Sequence, residues 1–171
     1  MNQGGPETIA SRQELLAHAL MLQLEAAQRY EELAQCMEVH HMSEVASLFR
    51  VLAELYCHGV AEIEDRVQPS EMPAPWNCKW GTPEAPATPG LDQVRYMMSR
   101  CDGLHLALQC ARQGRDFFSQ AAQAATDVEL QDLAWELAAQ VRHQAEKITE
   151  WMLQERCDFA VTDLDPPNMP E

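Results

Sequence analysis

The chain reads as all-α, an antiparallel bundle of four helices arranged as hairpin, long crossover, hairpin. Three observations predict this. Four segments carry apolar residues at alternating spacings of three and four, the period that lines one face of an α-helix. The first and second segments, and the third and fourth, are separated by only a few residues, which favours antiparallel neighbours. Between the second and third lies a proline-rich connection with no helical period.

The first helix is announced by Ser11-Arg-Gln-Glu14, a capping-box pattern in which the serine oxygen and the glutamate three residues on can satisfy free amide groups of the first turn. Its stripe is Leu16, Leu20, Gln23, Ala27, Tyr30 and Ala34, a buried face with one polar interruption. A short loop around His40 to Ser43 leads to a second helix with the stripe Val45, Leu48, Leu52, Tyr56, Gly59 and Ile63. From Val67 to Gly90 the chain holds six prolines and two tryptophans. A free linker has little use for such large aromatics, so Trp76 and Trp80 are expected to pack as a strap across the bundle. The third helix is expected from about Leu91 to Ala125, with Cys101, Leu104, Leu108, Ala111, Gly114 and Phe118 on one side. A second capping box, Thr126-Asp-Val-Glu129, opens the fourth, whose stripe is Leu130, Ala134, Leu137, Val141, Gln144, Ile148 and Trp151. Residues 1–10 and 158–171, rich in Pro, Gly, Asn and acidic side chains, read as flexible tails around one domain spanning 11–157.

A chain of 171 residues can bury a core without help from disulfides or a metal. Its 12 Lys+Arg against 27 Asp+Glu give a formal net charge of −15, which repels nucleic acid and anionic membranes in the absence of a basic patch. The charge is read as a solubility feature. No apolar run approaches the roughly 20 residues that span a bilayer, and the N-terminus lacks a signal-peptide layout, so a cytoplasmic location is expected. The six cysteines, Cys36, Cys57, Cys78, Cys101, Cys110 and Cys157, include no C-x-x-C, and in a reducing compartment they are expected to be thiols.

Several segments carry a family resemblance: Arg29-Tyr-Glu-Glu-Leu-Ala, Leu48-Phe-Arg-Val-Leu-Ala-Glu, the strap PWNCKWGTPEAP and the run Leu137 to Glu146. In this order and spacing they resemble the rubrerythrin-like branch of the ferritin superfamily, from helix one to the end of helix four. The two hairpins also look like a weak internal repeat, Tyr30-Glu-Glu-Leu-Ala-Gln answering Phe118-Ser-Gln-Ala-Ala-Gln. The resemblance implies a ferritin-like four-helix bundle with its long Pro/Trp-rich crossover between helices 2 and 3. It also implies a centre in which two helices each give a Glu and the other two each give a Glu-x-x-His pair, together holding two iron ions. An ungapped alignment places these six ligand positions at Gln23, Tyr56, Gly59, Ala111, Val141 and Gln144. None is a carboxylate or a histidine, and all six fall on the inward stripes.

The reading that follows is a ferritin-like protein that has lost its diiron centre: no metal, no cofactor, no catalytic residue, and no support among the residues for peroxidase or ferroxidase activity. It would act as a structural, regulatory or interaction subunit, as a homodimer or paired with another ferritin-like protein. In the vacated layer Tyr56 is expected to fill volume beside the small Gly59 and Ala111. Its hydroxyl is expected to join Gln23 and Gln144 in a mid-bundle polar cluster.

Two alternatives stand beside this. One is a metal-binding oxidoreductase or iron-handling protein with a rearranged site built from Glu54, His58, His143, Cys57 and Cys110, where thiolate and imidazole, together with Cys101 and His105, would suit a softer metal or haem. Packing explains the buried cysteines more simply. The other is a bundle whose core takes a small apolar ligand. A surface site at His40 and His41 with Glu38 and Glu44 is weighed against a plain solvated turn.

Overall fold

The computed structural model describes residues 9–67, 80, 84–94 and 98–158. Their secondary structure is helical, with four long helices: α1 (Arg12–Val39), α2 (Ser43–Arg66), α3 (Arg100–Ala124) and α4 (Val128–Gln154). α1 packs closely along α2 and α3 along α4, and the two hairpins close on each other to form the bundle. None of these helices is long and apolar enough to cross a membrane.

Three of the four helices begin where the sequence offers a capping side chain, whereas α2 starts after Met42 with none. Ser11 accepts the amide of Glu14, while the Glu14 carboxylate accepts from the amide of Ala10, one residue before the N-cap, so the box predicted here is only half formed. α1 ends in a turn at His41, which takes φ 60°, a left-handed conformation that histidine tolerates better than most side chains. The fourth helix starts one residue later than its capping pattern predicts: Asp127, not Thr126, is the N-cap, accepting the amide of Glu129 at 3.3 Å. A larger correction falls on the third. Leu91–Gln93 is a single 3-10 turn, and the α-helix begins only at Arg100. There Ser99 and Asp102 exchange backbone and side-chain bonds at 3.0 and 2.9 Å, a capping box stronger than anything at Leu91.

The predicted stripes point inward. Tyr30, Tyr56, Phe49, Phe118, Leu22, Leu48, Leu52, Leu104, Leu137 and Ile148 are among the fully buried side chains. Trp151 is only half-buried; the final turn of α4 buries Met152 instead. The part of the crossover that is described lies against the bundle. Trp80 packs edge-on to His18 and Phe117, with ring centroids 5.0 and 5.2 Å apart, and Arg29 of α1 donates to the carbonyl of Pro89 and to Glu84 at 2.6 and 3.0 Å. Trp80 also donates to Glu25, whose carboxyl burial pushes above its ordinary range. Trp76 and both predicted tails, apart from residues 9, 10 and 158, lie outside the described residues.

The thiol expectation is overturned for two cysteines. Cys101, in the first turn of α3, and Cys157, just beyond α4, form a disulfide with Cα atoms 5.6 Å apart. Antiparallel packing of α3 on α4 brings the start of one to the end of the other, within the spacing a disulfide needs. Cys36, Cys57 and Cys110 are free, and Cys78 lies outside the described residues.

Candidate functional site

The mid-bundle layer is assembled from α1, α2, α3 and α4, and all six positions aligned with iron ligands are buried in it: Gln23, Tyr56, Gly59, Ala111, Val141 and Gln144. Gln23 is 1% exposed and Gln144 5%. Their amides face each other across the α1 to α4 contact and bond reciprocally: Gln23 Nε2 donates to Gln144 Oε1 at 3.1 Å, and Gln144 Nε2 donates to Gln23 Oε1 at 2.6 Å. Each primary amide carries two N–H donors and an acceptor oxygen, so the reciprocal pair uses one donor and the acceptor of each.

Gly59 makes room for this pair. A Cβ at that position would sit 2.1 Å from Gln23 Oε1 and 2.7 Å from Gln144 Nε2, so the amides lie where any other residue of α2 would place its side chain. The same glycine's carbonyl accepts a 3.2 Å bond from Gln140, which also donates to Glu62 at 3.0 Å. α4 is thereby tied to α2 one turn from the amide pair. Sequence reasoning missed Gln140 in this role, since a half-buried glutamine beside a stripe carries no signal until the glycine opposite it is known.

Tyr56 does not join the glutamines. Its ring stacks on Tyr30 with centroids 5.7 Å apart, and neither hydroxyl has a hydrogen-bond partner among the described residues. Tyr56 lies three residues before Gly59, close to one turn along α2. The glutamines bond each other, and neither is a partner of the Tyr56 hydroxyl. Burial pushes both phenols well above their usual pKa, and the buried Cys110 thiol up to about 12, so these groups stay protonated and neutral. Removing an unsatisfied hydroxyl removes a desolvation cost. Tyr30→Phe and Tyr56→Phe are each expected to stabilise the fold by about 1 kcal/mol, read as a higher urea midpoint at unchanged slope. A loss of stability would mean that the hydroxyls are bonded.

The rearranged set is not brought together. Cys110 is buried in the core, whereas Glu54, Cys57 and His58 are exposed. Cys57 opens onto an apolar groove between α1 and α2 with Met21 and Leu24. His58 and His143 do share a groove of about 550 Å³ between α2 and α4, with Gly59, Glu62, Gln140 and Gln144. His143 is itself largely exposed and lies 3.4 Å from Glu146. Glu38, beside His40 and His41, is held by Arg50 at 2.6 Å.

The donor set therefore does not fit the two iron ions that the resemblance implies. Carboxylate and imidazole are replaced by amides whose donors and acceptors are turned on each other, by a glycine, by two aliphatic side chains and by a protonated phenol. What the layer can do chemically is link α1, α2 and α4 through uncharged hydrogen bonds.

No protein-family profile matches the chain, and no curated protein matches it. Among solved structures it is similar to an uncharacterized conserved protein, COG1633, from Magnetospirillum magnetotacticum MS-1, with 30% sequence identity and a TM-score of 0.59. The match covers 84% of this chain and 95% of that one. Identity at this level across nearly the whole of the bacterial protein means that the chain belongs to the same family.

Proposed function

We propose that this protein is a ferritin-like bundle of rubrerythrin type that has exchanged its diiron centre for an uncharged core and serves as a non-catalytic structural or interaction subunit, self-associating or pairing with a metal-competent relative. The observation that carries this reading is the reciprocal Gln23 to Gln144 pair seated over Gly59. It occupies the positions where the family alignment puts ligands, from three of the four helices. Four carboxylates facing one another in a dry core would need cations or protons to offset their repulsion. Replacement of the whole set by neutral groups removes that need.

Elemental mass spectrometry of protein purified after growth in iron-rich medium tests the loss of chemistry, and sedimentation tests the assembly. Iron well below one ion per chain, in a particle larger than a monomer, is expected. Two tightly held iron ions per chain would overturn the proposal.

A further inference from the structure

A second cluster lies at one pole of the bundle, away from the mid-bundle layer. Cys101 in the first turn of α3, Glu155 at the end of α4 and Cys157 two residues on each offer a ligand atom, and these atoms lie within 4.8 Å of one another. Cys157 is buried, and the other two are half-buried. Arg100 fixes the carboxylate: its Nε and Nη2 donate to Glu155 Oε1 at 2.9 and 2.6 Å, while its Nη1 is anchored on the carbonyl of Glu44 at 2.7 Å. Both Arg100 bonds fall on one oxygen, so Oε2 is left for another partner. A groove of about 490 Å³, lined by His41, Glu44, Ser99, Arg100 and Cys101, reaches the same place from outside.

We infer that, with the disulfide reduced, Cys101, Cys157 and Glu155 bind one zinc-class divalent cation, and that formation of the disulfide expels it. Two thiolates and a carboxylate are a zinc donor set, and the groove gives water access to a fourth position. The three ligands carry three negative charges, which the cation and Arg100 together neutralise, so binding buries no net charge. Arg100 supports the carboxylate as groups behind metal ligands do. On binding, each thiol releases its proton to solvent and two metal to sulfur bonds form. On oxidation by a small-molecule disulfide, one thiolate attacks the oxidant's S–S bond and releases its first half as a thiolate. The second cysteine then displaces the other half and closes Cys101 to Cys157. Two electrons have passed to the oxidant, which leaves as two thiolates, and the cation returns to solvent.

The test uses the full chain, reduced with a phosphine and titrated anaerobically with zinc against a chromogenic chelator, and with cobalt to reveal sulfur to metal charge-transfer absorption. One ion per reduced chain is expected, released one for one when oxidised glutathione re-forms the Cys101 to Cys157 peptide pair seen by mass spectrometry. C101S, C157S and E155Q each remove a direct ligand and should weaken binding by at least about 10–100-fold, the cost of losing even a group behind the ligands. E155Q keeps both thiols and serves if a serine variant fails to show a native helical spectrum. A C36S/C57S variant, lacking the exposed free thiols found among the described residues, should bind as the parent does. The inference is overturned if the reduced chain takes up no zinc, if binding survives in C101S, C157S and E155Q alike, if it is lost in C36S/C57S, or if the ion stays bound once the disulfide has formed.

Discussion

Reduction of the Cys101–Cys157 disulfide is expected to lower the unfolding free energy by about 4 kcal/mol, the loop-closure entropy returned to the unfolded chain when a cross-link over this separation is cut. The two cysteines are 56 positions apart, and the closed loop contains nearly all of α3 and all of α4. In the oxidised chain the second hairpin therefore cannot lose its ends even when its packing loosens, whereas the first hairpin has no such tie among the described residues. A chain of this size commonly has about 5–15 kcal/mol of stability, so the reduced protein stays folded but much closer to its threshold. The check is thermal unfolding with and without reductant, where a fall in Tm on the order of 10 °C is expected. The C157S variant should melt near the reduced parent and should not respond to reductant. A parent whose Tm ignores reductant would mean that the bond contributes nothing to the folded state. Zinc added to the reduced parent should recover part of the loss, because a ligand that binds only the folded state stabilises it by mass action.

How much of this was legible in the sequence depended on the kind of signal. The four stripes were, because a period of 3.6 is a local property that survives any tertiary detail. Burial of Gln23 and Gln144 was legible too: each takes a stripe position that its flanking apolar residues force inward. Their pairing was not, for it depends on the missing Cβ of Gly59 and on rotamers that only the packed bundle selects. Tyr56 was assigned to the wrong partners for the same reason, since its place on the stripe is local whereas the direction of its hydroxyl is set by Tyr30 on another helix. The late start of α3 could have been read from Ser99-x-x-Asp102, a box as clear as the one at Ser11. Apolar residues upstream of it had extended the apparent period. Nothing local pairs Cys101 with Cys157; that contact exists only after the hairpin has closed.

The second large effect concerns the amide pair itself. Replacing Gln23 by Met keeps an unbranched side chain of similar volume but takes both hydrogen bonds from Gln144, leaving a buried donor and a buried acceptor unpaired. An unsatisfied buried group costs more than its bond contributes, so Gln23→Met and Gln144→Met are each expected to destabilise the fold by about 2 kcal/mol. In the double variant no amide is left to satisfy, and two flexible thioethers share the volume above Gly59. The expected loss is then only about 1 kcal/mol, giving a coupling of about 3 kcal/mol in a double-mutant cycle measured by urea unfolding. Strictly additive single effects would show that the two glutamines act independently and would remove the main support for an uncharged lock at mid-bundle. Strong coupling would also explain why such a core changes as a unit: with either glutamine alone the layer is worse than with none. By the same reasoning a lone carboxylate there would cost more than an amide, since its charge has no partner among Gly59, Ala111 and Val141. The neutral pair thus leaves the layer with no buried charge that needs a partner.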